Sequence, residues 1–373
     1  MGGVRQSWVE VDLAAIRHNV ASIAAEVAPA AMCTVVKADG YGHGDVPVAE
    51  AATAGGAASL AVALVEEGVR LREAGIDHPI LVLAEPPPED APEVVAWRLT
   101  PTVYTERFVE SLERAAGDRP VGVHLKVDTG MHRVGADPPL AVDLARRIAA
   151  NRLLSLEAVW THFAVAEEDQ HFTDAQTSAL LAVRDRLRAA GIAVPAAHAA
   201  NTAGALMSPS ARLDMVRVGL GTYGLRPHPS AGAHLDLRPA MRVVSRVAHV
   251  RSLEEGSRPS YGRRRALGRR SLVATVPIGY ADGVSRRLSS VGGQVLVRGR
   301  RVPYAGTVTM DQVVVDVGDG PVEVGDEVVV LGSQGAESIA ADDWAAWLDT
   351  ISYEIVCDFG PRLPRRYSGG DRA

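Results

Sequence analysis

Eight times between residues 7 and 224 a short apolar run gives way to a stretch of helical character. This repeated strand-then-helix order constrains the fold more than any other feature of the chain. The runs fall at residues 32–37, 59–63, 79–84, 100–104, 122–127, 154–161, 196–199 and 215–218. Eight such units in one segment predict a (β/α)8 barrel rather than an open doubly wound sheet. The helix before the first of them, residues 12–28, places Leu13, Ile16, Val20, Ile23 and Val27 at spacings of three and four, with Asp12 at its N-cap. A later helix is expected over 174–190, between Thr173 and Gly191.

Beyond about residue 232 the texture changes to Val-rich runs, MRVVSRVAHV, SLVATVPI, QVLVRG, QVVVDV and DEVVVLG, separated by Gly, Asp and Pro. The chain is therefore read as α/β: a TIM-barrel domain over 12–234, then a mostly-β domain over 235–373 that also takes the N-terminal strand 1–11. A length of 373 residues suits two domains, and the connection RPHPSAGAHLDLRP has the Pro, Gly and Ser content of a surface segment. Trp344, Trp347 and Leu348 mark the core face of a helix in the β domain, and the arginine-rich stretch 258–270 reads as a solvated loop. A net charge of -6 argues against nucleic acid or an anionic membrane as partner, leaving a small molecule. No run nears the ~18 apolar residues of a membrane span, and MGGVRQSWVEVD lacks the layout of a secretory signal, so the cytoplasm is expected. Cys33 and Cys357 lie far apart without C-x-x-C spacing, which predicts two buried thiols, no disulfide and no metal site.

Only two of the 39 basic residues are lysine, Lys37 and Lys126. A lysine amine can be made neutral and nucleophilic by burial, whereas a guanidinium keeps its proton, so a Schiff base is the obvious use of a retained lysine. Barrel enzymes place their chemistry at the carboxyl ends of the strands. There the sequence puts Lys37 in VVKADGYGHG, Lys126 and Arg133 in KVDTGMHRVG, Thr161 and His162 after strand six, His198, Asn201 and Thr202 after strand seven, and Arg217 before Gly219 in RVGLGTYG. His198 belongs to this strand-end set or merely lines the entrance. Glycines 219–224, the Thr202 hydroxyl and Tyr41 are candidate phosphate donors. An amine at a barrel mouth beside a phosphate cradle is what pyridoxal phosphate requires.

These motifs, with WTHFA, HAANT, SYG, GYADG, GTVTMDQ and SYE in the same order, resemble the alanine racemases along essentially the whole chain. The resemblance implies interconversion of L- and D-alanine with pyridoxal 5'-phosphate, supplying D-alanine for peptidoglycan, in a homodimer whose active site is shared between subunits. Lys37 would hold the cofactor and act as base on one face of the amino acid substrate, and Tyr261 from a second copy would act on the other. Arg217 would face the pyridine nitrogen, buttressed by His162, and that pair would supply the positive charge a phenol needs to act as a base. Tyr41, Thr202, Gly219, Leu220 and Tyr353 would bind the phosphate. Arg133 and Met310 would meet the substrate, Tyr280 would line the entry corridor, and Lys126 would carry a carbamate. An arginine at 217 separates racemases from related decarboxylases, which present a carboxylate there. Thr202 replaces the commoner serine, and Thr307 stands where some members carry an arginine.

Overall fold

The computed structural model describes residues 6–117 and 120–370. The chain divides into two compact units, one formed by residues 15–40 and 45–238, the other by 1–14, 41–44 and 239–373.

The first unit is a closed barrel of eight parallel strands: β2 (Ala31–Val35), β3 (Ser59–Val62), β4 (Ile80–Val82), β5 (Thr100–Val103), β6 (Val121–Lys126), β7 (Leu154–Trp160), β8 (Ala196–His198) and β9 (Met215–Val218). They follow β1 (Ser7–Asp12), which belongs to the other unit. All eight expected strands are present. Their short apolar runs suit parallel strands covered on both faces, and β4 is buried at every position. The barrel closes by pairing β2 with β9, Cys33 opposite Arg217 and Thr34 opposite Val218. The helix expected from residue 174 begins four residues earlier, at Gln170, because Asp169 rather than Thr173 caps it: the Asp169 carboxylate accepts the Phe172 N–H at 3.0 Å.

The second unit holds β10 (Met241–Arg246), β11 (His249–Leu253), β12 (Ser271–Val276), β13 (Gln294–Val297), β14 (Arg300–Pro303), β15 (Val313–Gly318), β16 (Glu327–Gln334), β17 (Glu337–Ile339) and β18 (Arg365–Ser368). One sheet runs β14-β13-β16-β10-β1-β18 with β17 against β16, and a second runs β11-β12-β15. The N-terminal strand thus pairs with β10, Val9 opposite Val243. Trp344 and Leu348 are buried on the helix Ala341–Leu348, whereas Trp347, expected on the same face, is only half-buried. Cys33 is buried, but Cys357 is exposed, against the expectation of two buried thiols. It ends the short helix Ser352–Cys357, whose buried residues are Ser352, Ile355 and Val356. Among the described residues no helix is long and apolar enough to cross a membrane, and no group of His, Cys, Asp and Glu is arranged to hold a metal ion.

Candidate active site

After β2 the chain enters an unusual turn. Ala38, Asp39, Gly40 and Tyr41 have φ of 54, 53, 59 and 52°, a left-handed run. This costs an L-residue roughly 1–2 kcal/mol, so the three non-glycine residues need support. Glu67 provides it from a buried position. One carboxylate oxygen accepts the Ala38 N–H at 2.7 Å, and the other accepts those of Ala63 and Leu64 at 2.7 and 3.1 Å. The Gly40 N–H donates to the Val36 carbonyl at 2.9 Å, and Asp39 accepts the Asp45 N–H at 3.2 Å. Lys37 therefore heads a turn whose backbone is fixed.

Arg217 lies on β9 with 3% exposure. Its Nη1 donates to His198 Nδ1 at 2.7 Å, and its Nη2 donates to the carbonyls of Thr161 and Ala199 at 2.9 and 2.8 Å and to His162 Nδ1 at 3.3 Å. The guanidinium sits 4.5 Å over the Trp160 ring. Burial lowers it to about 10, so at neutral pH it stays charged although none of these partners is a carboxylate. Burial first, then this positive charge, holds His162 and His198 well below the usual histidine range. Both rings are neutral. His162 thus carries no charge of its own, and the positive charge of the His162–Arg217 pair is that of Arg217. His198 is wholly buried and bonded to Arg217, not an entrance residue.

Lys126, at the end of β6, has its ammonium 4.3 Å over Trp160. Burial, then Arg217 and Arg133, lowers it to about 7, against the weaker pull of Asp128. No carboxylate forms an ion pair with it among the described residues, so it is not an ordinary strand lysine matched to an acid. Arg133 stands exposed in the loop that follows. Asp128 folds that loop, accepting the N–H groups of Gly130 and His132, each at 3.0 Å. Gln176, absent from the sequence reading, ties it to the next strand end: its Nε2 donates to Thr129 and to the His162 carbonyl at 3.3 and 3.2 Å, while its Oε1 accepts the Ala164 N–H at 3.0 Å.

Past β9 the chain makes one tight turn, Leu220–Tyr223. Thr202 Oγ1 accepts the Gly219 N–H at 3.1 Å. A Cβ on Gly221 would lie 3.0 Å from Thr202 Cγ2 and 2.9 Å from Ile23 Cδ1, so the turn packs closely against both side chains. The Tyr223 hydroxyl donates to the Val35 carbonyl at 2.9 Å and ties this turn to the end of β2.

The remaining candidates lie in the second unit. Tyr41 is buried with its ring 6.2 Å from that of Tyr353, and burial, with Tyr353 and Cys357 nearby, pushes its phenol up. Tyr261, Tyr280 and Met310 are exposed, at 74%, 42% and 52%. Their loops are held by backbone. Thr307 Oγ1 donates to the Tyr261 carbonyl at 2.8 Å, and the Tyr280 N–H donates to the Thr309 carbonyl at 3.0 Å. A Cβ on Gly279 would fall 2.4 Å from the Met310 carbonyl oxygen, a measure of how closely these segments pack.

A closed parallel barrel that gathers two lysines, a buried arginine and neutral histidines at its strand ends, accompanied by a β-rich unit, is the frame of a barrel enzyme acting at its carboxyl face. Residues 11–227 match the family model described as alanine racemase, N-terminal domain, and residues 240–367 the alanine racemase C-terminal domain. The alanine racemase of Symbiobacterium thermophilum is 45% identical over 99% of both chains, and that of Nostoc is 41% identical over 97% of this chain and 95% of its own. Among solved structures, alanine racemase from Streptomyces coelicolor superimposes with a TM-score of 0.94 at 37% identity, covering 98% of this chain and 99% of its own. The Bacillus anthracis enzyme with bound L-Ala-P gives 0.92 at 36%, covering 99% and 97%. The chain belongs to the alanine racemase family and is an isomerase, an amino-acid racemase.

Proposed function

We propose that the protein interconverts L- and D-alanine in the cytoplasm with pyridoxal 5'-phosphate and two bases, as a homodimer with shared active sites, and that its D-alanine feeds peptidoglycan synthesis. The observation that carries this reading is Arg217, a buried guanidinium whose partners are two neutral imidazoles and two carbonyls.

The residues present suit the cofactor. Lys37 offers a primary amine after a strand end, Thr202 a hydroxyl, and Gly219 and Leu220 backbone N–H groups at the tight turn after β9. Tyr41 and Tyr353 would be the phenols that meet the phosphate. When bound, pyridoxal phosphate supplies the electron sink that makes an amino acid's α-proton removable.

Lys37 holds the cofactor and moves a proton on one face of the substrate α-carbon. Tyr261 of the partner subunit moves it on the other, because one amine cannot serve both faces of a planar carbon. Its exposure in the single chain supports delivery to a second copy. A phenol needs a positive charge nearby to act as a base at neutral pH, and Arg217 is that charge. His162 accepts from Arg217 on Nδ1, so its proton lies on Nε2, available as a neutral donor. Arg217 would face the cofactor's pyridine nitrogen without giving up its own proton, which would limit the electron sink and favour return of the proton to the α-carbon over transamination. Lys126 near 7 is partly neutral at physiological pH, the form that takes up carbon dioxide as a carbamate, which would pair with Arg133. Arg133 meets the substrate carboxylate, Met310 closes the substrate end, and Tyr280 lines the corridor. L-Ala-P in the B. anthracis relative supports a ligand the size of alanine.

Incubation of the cofactor-loaded protein with L-alanine in deuterated water should yield D-alanine carrying deuterium at the α-carbon. Absence of D-alanine would sink the reading, and a panel with serine and basic amino acids sets its range.

A further inference from the structure

Behind Arg217 the barrel interior holds a chain of polar side chains that the proposed reaction leaves unused. Arg217 Nη1 lies 2.7 Å from His198 Nδ1, His198 Nε2 lies 3.0 Å from His124 Nδ1, and His124 Nε2 lies 3.9 Å from Glu157 Oε2. The last link is electrostatic, being too long for a hydrogen bond. Trp160 stacks on His198 at 5.3 Å and an interplanar angle of 12°, which fixes the plane of that ring.

The protons on this chain have a direction. A guanidinium only donates, so His198 Nδ1 accepts and the His198 proton sits on Nε2. That proton faces His124 Nδ1, which must accept in turn, so the His124 proton sits on Nε2 toward the carboxylate. Each link forces the next. Burial, reinforced by Arg217, keeps both rings neutral and holds His124 at about 4.

The far end is shaped for its task. Val123 of β6 pairs with Leu156 and His124 with Ala158, so Glu157 is the extra residue of a β-bulge, a device that re-aims a side chain. Gly122 makes room for the carboxylate: a Cβ there would fall 2.1 Å from Glu157 Oε1. Glu157 lines a cavity of about 390 Å³ with Thr100 and Val121, the first residues of β5 and β6, so the chain runs from Arg217 toward the amino end of the barrel.

We infer that His124 and Glu157 are positioning residues: they hold His198 in the tautomer that accepts from Arg217, and so keep the guanidinium charged and oriented at the cofactor site. This rests on the role given to Arg217 above, but its primary test does not. In protein labelled with ¹⁵N-histidine and free of cofactor, two-bond ¹H–¹⁵N spectra at pH 7 should show both His198 and His124 protonated on Nε2 alone. In His124→Leu, His198 loses its acceptor and should move partly to the Nδ1–H form. His124→Gln, whose amide can accept and donate, should restore the wild-type signal. Glu157→Gln, on a half-exposed side chain, should shift the His124 Nε2–H resonance and leave folding intact. In the loaded enzyme His124→Leu should lower kcat about tenfold, the worth of one hydrogen bond, with KM unchanged, and should raise pyruvate formed per racemisation. A His124 proton on Nδ1 in the wild type, or a His198 tautomer indifferent to both His124→Leu and Glu157→Gln, overturns the inference. Loss of racemisation in the wild type with these tautomers in place would overturn the function instead.

Discussion

The barrel and the β-rich unit prepare their functional side chains in opposite ways. Inside the barrel, burial has already set the charge: His124, His162 and His198 are neutral, Lys126 is brought to about 7, and Arg217 keeps its proton. In the second unit, Tyr261, Tyr280 and Met310 stand in solvent on loops locked by backbone contacts. One set is complete within its own walls. The other has fixed positions but surroundings of solvent. Chemistry that depends on a tuned charge belongs inside a closed barrel, where water cannot reset it. On the proposed reading, in which these groups complete a second copy's site, stiff and exposed loops are the place for them.

Two substitutions test that division most severely. Lys37→Ala should abolish racemisation together with the visible absorbance of bound cofactor. Tyr261→Phe should lower kcat by about 10²–10⁴ and leave that absorbance in place. Loss of cofactor from Tyr261→Phe would show that the exposed loops help to hold it, and the contrast would collapse. Mixing the two inactive variants under subunit exchange should restore activity, since a hybrid dimer assembles one site with both native residues. No recovery would confine each site to a single chain.

The next effect is on stability and belongs to the barrel alone. His124 titrates at about 4 when folded, against 6.5 when unfolded. Between those values the unfolded chain binds the extra proton, so stability rises with pH through this window and is lost on acidification. The shift corresponds to about 3 kcal/mol, lost by pH 4. His162 and His198 act in the same direction. Denaturant midpoints from pH 4.5 to 8 should fall toward acid, and His124→Gln should flatten the slope by about one proton. A slope unchanged by that substitution would mean that His124 is not held neutral by the barrel.

The sequence exposed these regions unevenly. The eight barrel strands were legible because buried parallel strands need uninterrupted apolar runs, and the strand-end rule put Lys37, His162 and Arg217 at the carboxyl side of the barrel from the sequence alone. His198 was noticed, but the sequence could not choose between a pocket residue and an entrance residue, since its burial depends on Trp160, brought beside it by strand pairing rather than by the chain. His124 and Glu157 lie inside strands, where a polar residue gives no sign of facing inward, and the bulge that aims Glu157 exists only in the pairing of β6 with β7. Gln176 sits on a helix and acts on two loops. The exposure of Cys357 likewise follows from which face of a short helix packs.

Glu67 gives the smallest effect and the sharpest distinction. Its carboxylate takes three backbone N–H groups and holds the left-handed turn that follows Lys37. In Glu67→Gln one oxygen becomes an NH₂ group facing donors, so at least one buried N–H loses its acceptor, at roughly 1–3 kcal/mol. The turn can relieve part of that cost by leaving its left-handed geometry, which displaces the lysine. The expected outcome is a modest drop in the denaturation midpoint together with slower recovery of cofactor absorbance when the stripped protein is reloaded. A stability loss with unchanged reloading would make Glu67 a helix cap and nothing more. Unchanged stability with slow reloading would instead place the strain wholly at the lysine, and the barrel's readiness would then rest on backbone geometry as much as on buried charge.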